Sequence, residues 1–550
     1  MKAFLLTTLF FLTAIMSSYG QSEPSIAEGQ KLATLAKIWG FLKYYHPSVS
    51  RGRRSADWDS VLVSKIAPVR ACRNASDLSA FFEKWLEELG PVAKCDKCPN
   101  GNTFISEMLD LRFLKNVGLF LPALREKFEY IRQNRTLTPY WTNINVGAGN
   151  ATFEREKAYA DLIYPDEGYR LLSLFRFWNI IHYYYPYKNL IGRDWNAVLD
   201  EFIPRFIAAE NNEDYHLACH ELVASIHDSH ANYTPPLSAD SKFGKLTVPF
   251  GTKIIKGQAV ITELKNETLC KELDIQLGDV VTHIDQRPVA EWVQERWNMT
   301  GASNDAVKFR NLATLIFSGS SPQYTLSFWR NGKVETKYSK RFEPSLINYK
   351  PKEEEFAFRE ISNDIGYVNM GALTEKMIEP MYSLLGKKKF LILDIRNYPQ
   401  GTLFKIAEKL KPKPSPFVKF IKPILTYPGM FQMTDASWCG TDNPNYYKGK
   451  VILLCDENTQ SHAEYTIMGL QTAPNVVTVG SQTAGADGNI STIPFVGGGK
   501  CWMSGIGVFY PDGQQAQRAG VRIDIEARPT IAGLIAGKDE VLEKAIEIAQ

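Results

Sequence analysis

Two stretches of this chain repeat one pattern, and the repeat constrains the fold more than any other feature. Leu35-Ala-Lys-Ile-Trp39-Gly-Phe-Leu-Lys-Tyr44-Tyr45-His46-Pro47 is echoed by Leu174-Phe-Arg-Phe-Trp178-Asn-Ile-Ile-His-Tyr183-Tyr184-Tyr185-Pro186. The tryptophan and the proline recur at an offset of 139 residues, and Trp58 of Asp57-Trp58 recurs as Trp195 at 137. A long internal repeat means two units of related architecture. Apolar residues such as Leu172, Phe175, Trp178 and Ile181 fall at helical spacing. Each copy is expected to be helical, with its aromatic stripe in the core rather than around a cofactor. The first copy is placed at 21–132, a polar, Asn-rich linker at 133–166, and the second copy at 167–243.

The second copy ends in chemistry that the first lacks. Ile226-His227-Asp228-Ser229-His230 falls where the first copy has Leu89-Gly90-Pro91-Val92-Ala93. A functional role for that end of one copy follows from the contrast alone.

A chain of 550 residues exceeds what one core organises, so further domains are expected. The formal net charge of +3 gives no electrostatic case for nucleic acid. Lys2, the apolar run from Ala3 to Met16, and Ser18-Tyr19-Gly20 have the charge, length and cleavage chemistry of a secretory leader over 1–20. The mature protein is therefore expected to be periplasmic or extracellular, with no stable membrane span. Cys95-Asp96-Lys97-Cys98 stands alone, which leaves a local disulfide or two free thiols and gives zinc little support.

From about Val248 the texture changes to short alternating segments. Leu277-Gly-Asp-Val-Val281, Ile284-Asp285 and Pro288-Val289 are followed by a hairpin through Asn331-Gly332. This order resembles a PDZ domain over 244–342, which implies binding of chain ends or extended segments. The final third, 343–550, alternates strands and helices. Phe390–Asp394, Val451–Cys455 and Val476–Gly480 are apolar strands, each followed by a polar or Gly-rich loop. Chemistry is expected at those carboxyl ends. Ser461 opens a helix after the second, where it is either a nucleophile at an exposed turn or an N-cap boxed with Glu464.

With these loops in view, the chain from about residue 220 onward resembles the S41 family of serine peptidases, the tail-specific and C-terminal processing proteases with their tricorn-core relatives. Ser461-His462-Ala463-Glu464 matches the family's nucleophile motif, Asp394 to Gly401 its Asp-Leu-Arg-x-Asn-x-x-Gly loop, and Gly520 to Glu526 its C-terminal strand. The resemblance implies an α/β multi-domain protein: a helical N-terminal region with an internal duplication, a PDZ-like β domain and an S41 catalytic domain. It implies no cofactor and no metal, a peptide or protein substrate, and an oxyanion hole from the backbone of Gly401 and His462. The lysine that activates the serine in one branch is absent from Thr483-Ala-Gly-Ala-Asp487-Gly488, although Lys500 lies further on. The resemblance then points to the tricorn-like branch, with His230 as base and Ser229 assisting. Gln517 stands nearest the family's orienting Glu, and Asp487 and Glu464 are further candidates to orient His230. Two other readings stay open. One is a ligand-binding protein on a degenerate scaffold, motivated by the missing Lys and by Gln517. The other is a metal-dependent hydrolase using His216 and His220, one helical turn apart.

Overall fold

In the computed structural model, which describes residues 25–52, 57–239, 241–347 and 356–550, the two copies fold into corresponding sets of helices. The leader expected over 1–20 lies outside the described residues. Helices α1 (Glu28–Tyr45), α2 (Trp58–Ala71) and α3 (Ala75–Leu89) are matched by α4 (Glu167–Tyr184), α5 (Trp195–Ala208) and α6 (Asn212–Ala224). Asn74 and Asn211 cap the third helix of each set by accepting the backbone N–H of Asp77 and Asp214. Trp39 Nε1 donates to the Trp58 carbonyl at 3.1 Å, and Trp178 Nε1 donates to the Trp195 carbonyl at 2.8 Å. The repeated tryptophans therefore fasten first helix to second, each indole N–H satisfied inside the core.

The copies pack together where α1 meets α4. A Cβ at Gly40 would sit 1.8 Å from Asn179 Oδ1, and Asn179 is the counterpart of Gly40 in the second copy. Asn179 fills the gap and donates to the carbonyls of Ala36 and Phe175 at 2.9 and 2.8 Å. Beside this contact lies a buried ion network. Glu156 pairs with Lys43 at 2.7 Å and with Arg176 at 3.0 Å, and Arg176 reaches Asp59 at 2.7 Å. It ties α1, α2 and α4 to the segment between the copies. Cys95 and Cys98 in the first copy form a disulfide.

Residues 250–340 form a separate antiparallel sheet with its own core. Phe250–Ile255, Gln258–Leu264, Val280–Ile284, Gln323–Arg330 and Lys333–Lys340 lie side by side in that order. The last two make the expected hairpin, with φ of +49° at Asn331 and +80° at Gly332, both positive as a tight turn of this kind requires.

The C-terminal third is a sheet whose order follows the chain. Strands β1 (Phe358–Glu360), β2 (Ile365–Asn369), β3 (Phe390–Asp394), β4 (Lys450–Cys455), β5 (Val476–Gly480) and β6 (Ile525–Glu526) are neighbours in turn, and β2 to β6 are parallel. Alternate residues serve opposite faces. Leu391, Leu393, Val451 and Leu453 pack against helices that include α7 (His462–Leu470), while Ile392, Ile452 and Leu454 pack against Glu540–Ile548. Covered on both faces, the sheet exposes its chemistry only at the strand ends.

The ion network yields a stability test. Glu156→Gln would leave the buried Lys43 without its paired carboxylate while Arg176 keeps Asp59, and the expected loss is about 3–5 kcal/mol of unfolding free energy, measured by urea denaturation.

Candidate active site

Ser461 sits between β4 and α7 in a backbone conformation that few residues adopt. Its φ and ψ are +59° and −122°, whereas the ordinary N-cap Asn211 is extended at −152° and 178°. Ser461 is the N-cap of α7 and is boxed with Glu464, as one of the two readings expected, but its positive φ also makes the geometry that of a sharp strand-to-helix turn. The strain is held by surrounding bonds. Ser461 donates its backbone N–H to the Ala486 carbonyl at 3.0 Å and, more weakly, to Glu464 Oε2 at 3.4 Å. Buried Thr459 joins three strand-end loops: its Oγ1 donates to the Ile395 carbonyl, its carbonyl accepts from Ala484, and its Oγ1 accepts from Asp456.

Glu464 is fully buried beneath this turn. It accepts from Thr483 Oγ1 at 2.6 Å, Gly485 N at 2.8 Å and Ala486 N at 3.0 Å. Burial raises its pKa to about 6, against the pull of those donors. Its role is to fasten the loop after β5 to the nucleophile turn, and it makes no bond to His230. Asp487, also buried, is pushed well up by burial and by neighbouring Glu464; its single hydrogen bond is to Gly488 N.

His230 is brought in by strand pairing. Tyr233–Thr234 pairs antiparallel with Lys500–Ser504, with Tyr233 opposite Cys501. Continued by three residues each way, that register sets Ser504 opposite His230. His230 Nδ1 lies 2.9 Å from Ser504 Oγ, and Ser504 Oγ donates to Asp228 Oδ1 at 3.0 Å. Asp228, fully buried, also accepts from Ser504 N at 2.6 Å, His230 N at 3.0 Å and Gln517 Nε2 at 3.3 Å. Because the one proton of Ser504 goes to Asp228, Ser504 Oγ accepts from His230 Nδ1–H. The Nε2 of the ring is then the nitrogen with the free lone pair. Burial lowers the pKa of His230, opposed by Asp228 and reinforced by Arg310.

The partner of the ring is therefore Ser504, not one of the three expected orienting residues. Gln517 bonds Asp228, Ser303 and Tyr185, and no bond from it to His230 is found among the described residues. Ser229 faces away from the ring: its Oγ donates to the Ala484 carbonyl and accepts from Ser303 N. Ser229 and His230 lie in a turn closed by Ala231 N donating to the Asp228 carbonyl at 2.9 Å, and their side chains take different partners there.

Ser461 and His230 line one cavity of about 920 Å³, together with Asp487 and His462. No hydrogen bond joins Ser461 to His230 among the described residues. Along one wall Tyr398, His462, Tyr465 and Phe420 form a run of rings with centroids 5.9, 5.9 and 6.4 Å apart. Gly401, with φ of +76°, belongs to the Tyr398 loop but does not itself line the cavity. Gly147 and Ala148 do, at the tip of a hairpin between Asn143–Ile144 and Ala151–Thr152. Sequence reasoning treated that segment as linker; its Asn-Gly-rich turn was the available signal.

The metal alternative finds no geometry. His216 Nδ1 lies 2.7 Å from Tyr233 Oη, His220 packs edge-on to the same ring, and no three His, Cys, Asp or Glu side chains converge as ligands among the described residues. Lys500 is exposed over Trp502 and does not line the cavity. No helix of the described residues is long and apolar enough to cross a membrane.

Residues 364–527 match the model of peptidase family S41. No curated protein sequence matches the chain. Among solved structures, a serine-to-alanine mutant of CPAF is similar in fold, with a TM-score of 0.56 at 14% identity over 70% of this chain and 96% of that one. Mature CPAF complexed with lactacystin gives 0.54 at 13% identity over 70% and 98%.

The burial of Glu464 has a pH signature. Its folded pKa of about 6 exceeds the ordinary 4.5, so the stability it contributes is complete below about pH 4.5 and is lost as pH rises through about 6. Glu464→Gln should flatten that slope: the wild-type-minus-variant difference in unfolding free energy shrinks by about 2 kcal/mol between about pH 4 and 7, measured by urea titration at each pH.

Proposed function

We propose that this chain, whose residues 364–527 match peptidase family S41, is a serine peptidase with Ser461 as its nucleophile and His230 as its general base. The observation that carries this reading is the order of hydrogen bonds from Asp228 through Ser504 to His230 Nδ1, which leaves Nε2 basic in the cavity that Ser461 lines.

In the proposed reaction His230 Nε2 takes the proton of Ser461 Oγ as that oxygen attacks a peptide carbonyl. The backbone N–H of His462, at the first turn of α7, receives the oxyanion, with the helix N-terminus favouring the charge. His230 then protonates the leaving amine, and water attacks the acyl-enzyme. Asp228 stabilises the imidazolium through Ser504. The neutral Gln517 consequently carries no argument for a degenerate scaffold, since the carboxylate comes from the base's own loop. We further propose that the protein acts after export, on peptides or on unfolded and tail regions of proteins. The PDZ-like body over 244–342 would engage their chain ends.

Ser461→Ala should lower hydrolysis of an unstructured fluorogenic peptide by about four orders of magnitude, with its melting temperature held. Unchanged turnover would overturn the assignment. A fluorophosphonate probe should label Ser461 in the wild type and fail to label a His230→Ala variant.

Because the pKa of His230 is lowered, its basic form should persist below pH 6.5, and the acid limb of kcat/KM should fall there. The charged groups acting on the ring are Asp228, which raises its pKa, and Arg310, which lowers it; the carboxyl of Asp487 shares its cavity. Removing the raising influence with Asp228→Asn should move the limb to still lower pH while reducing kcat.

A further inference from the structure

The residue before the candidate nucleophile is Gln460, and the residue before the candidate base is Ser229. Their chain positions are 231 residues apart, yet the Gln460 side chain spans them: Nε2 donates to the Ser229 carbonyl at 3.4 Å. The other end of the same amide is also engaged. Gln460 Oε1 accepts from Arg310 Nη2 at 2.9 Å. Arg310 in turn donates through Nη1 to the Glu457 carbonyl at 2.7 Å, inside the loop that leads to Ser461.

An amide has one accepting and one donating end. The guanidinium only donates and a carbonyl only accepts, so Arg310 and Ser229 together allow a single orientation of the Gln460 side chain. Arg310 lies on Asp305–Leu315 of the inserted β body. Three parts of the chain distant in sequence thus meet at one side chain, next to Ser461 and His230. The main chain around them is fixed independently: Ser461 N by Ala486, and Ser229 N by Ser303 Oγ at 2.9 Å. The two loops also meet indirectly through Ala484, whose carbonyl accepts from Ser229 Oγ and whose N–H donates to Thr459, and Gln460 adds the direct bond between the residues adjoining Ser461 and His230.

We propose that Gln460 is a positioning residue that sets the distance between Ser461 and His230, with Arg310 of the inserted body fixing the orientation of its amide. The inference rests on the functional reading of Ser461 and His230 given above. It makes the inserted body part of the catalytic geometry through Arg310, whatever else that body binds.

Two variants separate the halves of this contact. Gln460→Met keeps the length and loses both bonds. Gln460→Glu keeps and tightens the pair with Arg310, but turns an acceptor toward the Ser229 carbonyl. Steady-state hydrolysis of a fluorogenic peptide by the full chain, with melting temperatures alongside, tests the proposal. Both variants are expected to lower kcat by roughly 10- to 100-fold, with KM within about twofold and the melting temperature unchanged. Arg310→Lys keeps the charge but cannot span Glu457 and Gln460 together, and should lose part of the same kcat. A kcat within about twofold of wild type in both Gln460 variants would overturn the proposal. So would a loss of kcat matched by a loss of melting temperature, which marks a structural role. If the wild type hydrolyses the peptide and Ser461→Ala does not slow it, the reading of Ser461 falls and takes this inference with it. A Ser461-dependent wild type with unaffected Gln460 variants refutes this inference alone.

Discussion

The site depends on one buried carboxylate. Asp228 has no exposed surface and accepts four hydrogen bonds, from Ser504 N and Oγ, His230 N and Gln517 Nε2. Those donors come from three places in the sequence: the end of the second helical copy, a late hairpin strand and the loop before β6. A buried acid is tolerable only where its acceptor capacity is filled, so the three segments must converge for any of them to fold correctly. The same convergence fixes the tautomer of His230. Without Asp228, Ser504 would be free to donate to Nδ1, and the ring would turn its proton toward the cavity.

That requirement explains why the duplication is not symmetric. The first copy ends at Leu89 and Gly90, with no polar residue to place, and serves as packing for the second. Asn179 against Gly40 is the clearest mark of the division: one copy supplies the side chain and the other the space. The buried network of Lys43, Glu156, Arg176 and Asp59 then holds the two in one register. The helical region is a platform, and its one reactive loop points at the α/β sheet.

How much of this could be read from sequence follows the range of each interaction. The helical copies, the β hairpin and the apolar strands of the sheet are set by local periodicity and turn chemistry, and they were legible. Ser461 was legible as a residue at a strand-to-helix turn and as a cap boxed with Glu464, but its φ of +59°, unlike that of the other N-caps, was not. Ser504 was invisible because its role comes from cross-strand register with Tyr233, a pairing across more than 260 residues that leaves no mark in either segment. Asp228 stood in the quoted motif, yet nothing local says that its carboxylate reaches the ring through a third residue. Gly147 and Ala148 were read as linker because small residues in a polar stretch look the same at a rim as in a loop.

Burial acts in opposite senses on the acids and the base around Ser461. It lowers His230, and it raises Glu464, Asp456 and Asp487. Each shift favours the neutral form of its own group, while Lys422 and Asp435 also line the cavity. In the proposed reaction charge would appear as the proton moves, as an ion pair of an oxyanion at the α7 terminus and an imidazolium at His230. The imidazolium needs a nearby anion that is already well solvated by the protein. Four donors converge on Asp228 and one on Asp487, so Asp228 is the group prepared for that role. A lysine in place of Asp487 would set a like charge beside the forming imidazolium and oppose it. The absence of lysine there and the presence of His230 are thus one electrostatic choice, made once the base was drawn from the helical copy instead of the sheet.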